Sequence, residues 1–183
     1  MRIAVIGWGS LVWDPGDLRI KDDGWHVGGP LLPIELSRVS ERRGYLTYVI
    51  DERHVRKVQT RFALSRYSHL EDAVADLACR EGCAAHSVGF VEAKAGKTHR
   101  SRTVEGWRGI WDWLSTSPTP AEAAVWTDLE PRFEGLFTLD AAVEFWRTLP
   151  AGVASEARNY AEHAPAEVDT DLRRRLHNEG LIA

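Results

Sequence analysis

Two short stretches carry residue types able to do chemistry. The first is IAVIGWGSL at 3–11, where an apolar run meets Gly7, Trp8, Gly9 and Ser10. Glycine adopts backbone angles that other residues avoid, so consecutive N–H groups can point into one concavity and hold a carboxylate or a carbonyl oxygen. Ser10 adds a hydroxyl donor. A tight turn in which glycine answers a steric need alone accounts for the same residues. A dinucleotide fingerprint does not, because it needs a third Gly or Ala and a helix that starts at once, and this chain has Val12 followed by WDPG. The second stretch is ACREGCAAH at 78–86. Cys79, Cys83 and His86 are three soft ligands with no fourth at zinc spacing, so the cysteines are read as small apolar side chains and no metal is expected.

Other ionisable residues compete for a role. Glu35 alternates with Ile34 and Leu36 and is expected to face water, while Arg38 reads as a surface strand arginine whose alternative is to turn inward and bind a carboxylate. Asp128 and Glu130 follow a strand-like run. The basic run 94–102 reads as a solvated turn, or as a contact for an anionic tail of a substrate. The arginines at 173–175 read as complementing a helix C-terminus.

The elements that must hold these residues follow from periodicity. RIAVIG at 2–7 is a buried strand, and 12–33, which carries Pro15, Gly16, Gly24, Gly28, Gly29, Pro30 and Pro33, is a long irregular connection. Runs at 33–40, 45–50 and 55–64 are separated by short turns, which predicts an antiparallel meander. Ser68 and Glu71 form a capping-box pattern ahead of Leu70, Val74 and Leu77, so a helix runs to about Arg80 or Glu81, with Gly82 as its C-cap. A strand at 86–93 comes next. Trp107, Ile110, Trp111 and Leu114 then lie on one helical stripe, with Trp113 off it. AAVWTDL at 123–129 is a strand, and Leu139 to Leu149 an amphipathic helix stopped by Pro150 and Gly152. Weaker helices follow at 154–163 and 167–178. The fold class is α+β: a mixed sheet curled into a small barrel, helices around it, and a helical C-terminal extension over 137–183, all in one domain spanning 1–183.

Composition bounds the function. At 183 residues and 44% hydrophobic the chain fills one core, and its eight tryptophans need apolar surfaces or a pocket, Trp8, Trp13 and Trp25 being those nearest the glycine loop. A net charge of −4 offers no basic face for nucleic acid. No run approaches the length of a membrane span, no signal-peptide pattern opens the chain, and two cysteines suit a reducing compartment, so a cytoplasmic protein is expected. Nothing in the pattern specifies an oligomer.

GWGSLVWDP resembles the YGSL signature of the γ-glutamylcyclotransferase fold, in the GYGSLxWxP form of its ChaC-like members, with Trp8 where those have Tyr. LEDAVADLACREG resembles the second signature of that family, a helix ending in an Arg-Glu or Gln-Glu pair that carries the catalytic acid. The order of loop, LTYV strand, capped helix and VGFVEA strand fits as well, over residues 3 to 93. This resemblance implies cyclisation of a γ-glutamyl group to 5-oxoproline with release of an amine, the nucleophile being the substrate's own α-amino group. It implies Glu81 as the catalytic general base and acid, and Trp8, Gly9, Ser10 and Leu11 as substrate-binding residues. No cofactor or metal is needed, and the partner is a small γ-glutamyl molecule. Two other readings stand beside the enzyme: a catalytically silent ligand-binding protein on the same fold, and a regulatory protein using its helical tail as an interface. Glu81 also reads as an ordinary solvated glutamate at a helix end.

Overall fold

The computed structural model of the chain describes residues 1–93, 99–118 and 121–183. In chain order the strands are β1 (Ile3–Gly7), β2 (Leu31–Leu32), β3 (Ile34–Val39), β4 (Leu46–Ile50), β5 (Val58–Gln59), β6 (Arg61–Leu64), β7 (Val88–Glu92), β8 (His99–Arg100) and β9 (Ala123–Thr127). The helices are α1 (Ser10–Trp13), α2 (Leu70–Glu81), α3 (Val104–Thr116), α4 (Leu139–Arg147), α5 (Ala151–His163) and α6 (Asp171–Asn178). The class is α+β. No helix among the described residues is long and apolar enough to cross a membrane.

All five residues of β1 are buried, so the strand must be covered on both faces. It pairs antiparallel with β6 and parallel with β9, giving a sheet of order β6-β1-β9-β7-β8. Ile3 and Val5 face α2, which lays Leu70, Val74 and Leu77 against them. Ala4 and Ile6 face the second core, shared with the β3–β4 hairpin and with α3 to α6. Burying a side chain such as Leu77 completely is worth about 1.5–3 kcal/mol. The C-terminal stretch is integral to this packing, since Tyr160, Leu172 and Leu176 share a core with Ile6 and Trp126. α2 ends as its sequence predicts: Gly82 takes the left-handed conformation at φ 63°, and the Cys83 N–H reaches back to the Ala78 carbonyl at 3.0 Å. Its start differs, because His69, not Ser68, occupies the N-cap and no side chain caps the helix.

The expected barrel is not formed. Hydrogen bonding among the described residues gives three sheets, the five-stranded one and the pairs β2–β5 and β3–β4, none of them closed. The cause lies at Thr60, where the run 55–64 breaks: its N–H and its Oγ1 both bond the Pro30 carbonyl, at 3.2 and 2.7 Å. β5 therefore pairs with β2 and β6 with β1, and β4 is left without a third strand. Closure needs a continuous ladder, and the hairpin instead shares a hydrophobic core with the central sheet through Ile34, Leu36 and Tyr48 on one side and Ile6 and Trp126 on the other. The irregular connection is pinned along β6, with Lys21 N–H on the Leu64 carbonyl at 2.8 Å and His26 N–H on that of Phe62 at 2.7 Å.

Helix α3 also departs from its expected stripe. Its buried face is Gly106, Ile110, Trp113 and Leu114, with Trp107 and Trp111 only half-buried. Trp113 can go inside because its Nε1 donates to the Gly28 carbonyl at 2.8 Å, which satisfies its one polar atom. Pro150 and Gly152 do not merely stop α4: Pro150 is the N-cap of α5, and Gly152 lies in its first turn.

Candidate active site

Where β1 runs into α1, a cavity of about 280 Å³ opens. Trp8, Gly9, Ser10 and Leu11 form one wall, Glu81 and Arg80 at the end of α2 another, and Tyr48 and Tyr160 line it as well. The turn of the β3–β4 hairpin closes it with Arg38, Glu41, Arg42 and Arg43. The loop and Glu81, which the sequence treats as separate motifs, thus meet.

The loop geometry is set by close approaches. A Cβ on Gly7 would lie 2.7 Å from the Trp25 indole, and one on Gly9 would lie 2.9 Å from Tyr160 Oη. Trp8 is buried, 5% exposed, and its Nε1 donates to the Tyr48 carbonyl at 3.2 Å, so it holds the loop to the hairpin. α1 is a single turn whose first backbone bonds are accepted by Gly9 and Ser10, from the N–H groups of Val12 and Asp14. The N–H groups of Gly9, Ser10 and Leu11 precede any intrahelical acceptor. Of the three tryptophans placed near a pocket only Trp8 lines it. Trp13 stands edge-on to Tyr160 at 5.5 Å, and Trp25 belongs to the core under α2.

Glu81 is the last residue of α2 and its side chain is 19% exposed. Arg80 Nη1 donates to its Oε1 at 2.6 Å, and the other amino group of Arg80 bonds the Asp14 carbonyl, which ties α2 to the segment after α1. Two protonated groups share its surroundings. Burial, and then the charge of Glu81, push the Cys83 thiol up. Burial also holds the Tyr160 hydroxyl far above the usual tyrosine range, against the opposing pull of its bond from Tyr48 N–H and of Arg43. Both stay neutral at physiological pH. Arg43 donates to Tyr45 Oη at 2.9 Å and lies over the Tyr160 ring at 5.4 Å.

Several sequence expectations are corrected. Glu35 does not face water: it is 1% exposed, its Oε1 accepting from Leu36 N–H at 2.7 Å and its Oε2 from Asp171 and Leu172 N–H at 3.1 and 3.3 Å. Strand alternation separates two faces, and here α6 covers the second one, so Glu35 caps that helix. Burial holds its carboxyl above the usual range. Ligand atoms of Glu35, His54 and Asp171 lie within 4.8 Å of one another, a group able to hold a cation. Glu35 Oε2 is already taken by two amides, however, Asp171 Oδ1 accepts from Arg56 Nε at 2.7 Å, and none of the three lines the cavity. Arg38 is half-buried, lines the cavity and donates to the Glu130 carbonyl at 2.7 Å.

Asp128 is 3% exposed and takes Arg102 N–H at 2.5 Å, outside the cavity. Cys79 is exposed and Cys83 half-buried, both free. Of the basic run, 94–98 lie outside the described residues, and Arg100 donates to the carbonyls of Val88 and Ala85. Of the arginines at 173–175, Arg175 lies in the last turn of α6 as expected, whereas Arg173 lies in the first turns of α6 and donates to carbonyls at and beyond the end of α5, those of Ala164, Pro165 and Val168. Tyr48, Arg43 and Tyr160 have no local signature as site residues: Tyr48 reads as a strand residue, Arg43 as a turn residue and Tyr160 as part of a weak helix. Comparison with protein-family models, with curated proteins and with solved structures finds no match for this chain.

Proposed function

We propose that the chain is a γ-glutamylcyclotransferase-like enzyme that converts a γ-glutamyl group to 5-oxoproline and releases an amine, with Glu81 as general base and acid. The observation that carries the reading is that Glu81, at the C-terminus of α2, lines one cavity with the Trp8–Leu11 loop from the far end of β1. In this reaction Glu81 removes a proton from the substrate's α-ammonium. The freed nitrogen attacks the γ-carbonyl carbon, forming the ring C–N bond. The oxygen gains negative charge, which the N–H groups of Gly9, Ser10 and Leu11 stabilise. The intermediate collapses as the original amide C–N bond breaks: the proton held by Glu81 passes to the departing nitrogen, and the second proton of the ring nitrogen is lost to solvent, which leaves the lactam N–H and the free amine. A bent substrate is essential, because nitrogen and carbonyl must meet within the chain; the walls made by Trp8 and Tyr160 restrict it to that shape.

Release of 5-oxoproline from a panel of γ-glutamyl compounds tests this. Glu81→Gln keeps size and removes the proton acceptor, and kcat is expected to fall by about 10²- to 10⁴-fold. Folded wild-type protein that releases no 5-oxoproline from any compound, or a Glu81→Gln variant as fast as wild type, refutes the reading. The 2.6 Å ion pair with Arg80 favours a second reading, a binding protein without turnover, because it engages the carboxylate that the reaction needs free. Binding of γ-glutamyl compounds by calorimetry without product separates the two.

A further inference from the structure

Consecutive residues on a helix lie about 100° apart around its axis, so side chains at i and i+1 do not ordinarily face each other. Arg80 and Glu81 nevertheless pair at 2.6 Å, with side chains only 11% and 19% exposed. The pairing is possible because Glu81 ends α2 and because Arg80 is drawn across by its other arm, whose Nη2 bonds the Asp14 carbonyl. Asp14 is the C-cap of α1, and its own N–H bonds the Ser10 carbonyl at 2.8 Å. One guanidinium thus grips both walls of the cavity, the turn that carries Ser10 and Leu11 and the carboxylate at the end of α2. A helix of four residues has little stability of its own, so this outside tie bears on where the loop N–H groups point. Arg80 also offsets the unfavourable placement of a carboxylate at a helix C-terminus. It takes one oxygen of that carboxylate, Oε1, and among the described residues no donor bonds Oε2.

We infer that Arg80 is a positioning residue: its two arms fix the Glu81 carboxylate relative to the N–H groups of Gly9, Ser10 and Leu11, and leave Oε2 as the oxygen that takes up and returns a proton. In naming a proton transfer this rests on the proposed function. A carboxylate free to turn about its last torsion presents its oxygens over a range of distances, and a misplacement of about 1 Å costs about 10²-fold in rate. The fork is the essential feature. An ammonium at the same place supplies the charge but is a single point, unable to hold a carboxylate oxygen and a carbonyl in one fixed plane. The neighbouring arginines do not duplicate the grip: Arg43 bonds Tyr45 Oη and Arg38 the Glu130 carbonyl, and among the described residues neither is paired with Glu81.

The experiment measures kcat and KM on a γ-glutamyl compound that wild type turns over, for Arg80→Gln, Arg80→Lys and Arg80→Ala, with Arg66→Gln as control. Arg66 forks in the same way onto a carbonyl and a carboxylate, those of Ile20 and Asp22, away from the cavity. Arg80→Gln is expected to lose about 10²-fold in kcat with KM changed less than about threefold. Arg80→Lys, which keeps the charge and with it the fold, should stay at least about tenfold below wild type. Arg66→Gln should match wild type. In Arg80→Ala, free methylguanidinium should restore kcat at least about fivefold, and methylammonium, of equal charge, should not. A kcat for Arg80→Gln close to wild type, a loss carried by KM, or full recovery with lysine overturns the inference. So does a rise in kcat, which would make the pair a block on Glu81. If wild type turns over no compound, the proposed reaction fails, and exchange of the Val12 and Asp14 amides, which bond the Gly9 and Ser10 carbonyls, decides the clamp separately. Exchange at least about tenfold faster in Arg80→Gln than in wild type and Arg66→Gln upholds it, and equal rates overturn it.

Discussion

Gly9 and Tyr160 are joined by a contact that a double-mutant cycle can measure. A Cβ at position 9 would lie 2.9 Å from Tyr160 Oη, closer than such atoms tolerate, with the next atoms at 3.8 Å (Tyr160 Cζ) and 4.0 Å (Tyr48 Cδ2), ordinary contact distances. The hydroxyl cannot swing away: Tyr160 is buried, its ring stacks on Tyr48 at 5.6 Å, Trp13 stands edge-on, and Tyr48 N–H donates to Oη at 3.3 Å. Gly9→Ala should therefore cost about 1–3 kcal/mol, the range for overpacking a filled site. Tyr160→Phe removes the obstructing oxygen but leaves the Tyr48 N–H without its acceptor, for a loss of about 1–3 kcal/mol. In the double variant the Cβ meets only the 3.8 Å neighbour, so it should be about as stable as Tyr160→Phe alone. The coupling is then favourable by about 1–3 kcal/mol. Urea unfolding of the four proteins, with the slope m unchanged across them, gives the cycle directly. Singles whose costs add to within about 0.5 kcal/mol would show that Oη does not limit residue 9 and would refute the reasoning.

Further outcomes follow from the same packing. Gly89→Ala would place a Cβ 2.3 Å from Cε2 of the fully buried Trp126, so a loss of at least about 3 kcal/mol is expected by denaturation; a loss below about 1 kcal/mol would mean that the indole moves freely. Glu35 has its folded-state pKa raised by burial, so the unfolded chain ionises first and this group's contribution to stability falls as pH rises above the ordinary value of 4.5. The stability of wild type minus that of Glu35→Gln, measured from pH 4 to 8, should decline with pH; a rising difference contradicts the sign.

The parts of the fold legible in the residues are those ruled by local patterns. β1 reads as a buried strand from its continuous apolar run. The end of α2 reads from Gly82, because a left-handed C-cap is a single-residue requirement. The hairpin β3–β4 follows from two strand-like runs and a short turn. What fails is pairing and facing. Thr60 splits a continuous apolar-polar run by bonding Pro30, a partner thirty positions away, and the barrel is lost with it. Alternation at Glu35 marks a face without saying that α6 will cover it, and a helical stripe at Trp107 to Leu114 omits Trp113, whose burial depends on the Gly28 carbonyl being there.

The candidate site divides in the same way. Gly9, Ser10 and Glu81 stand out in the chain, because a glycine loop after a strand and an acid at a capped helix end are local features with a family resemblance. Their meeting, the ion pair of Glu81 with Arg80, the stacked tyrosines and the arrival of the hairpin arginines at the cavity are products of tertiary structure. Residue spacing within a few positions sets which backbone shapes a segment can take. Charge balance in a cavity depends on which distant segments fold against one another, and no local pattern carries that information.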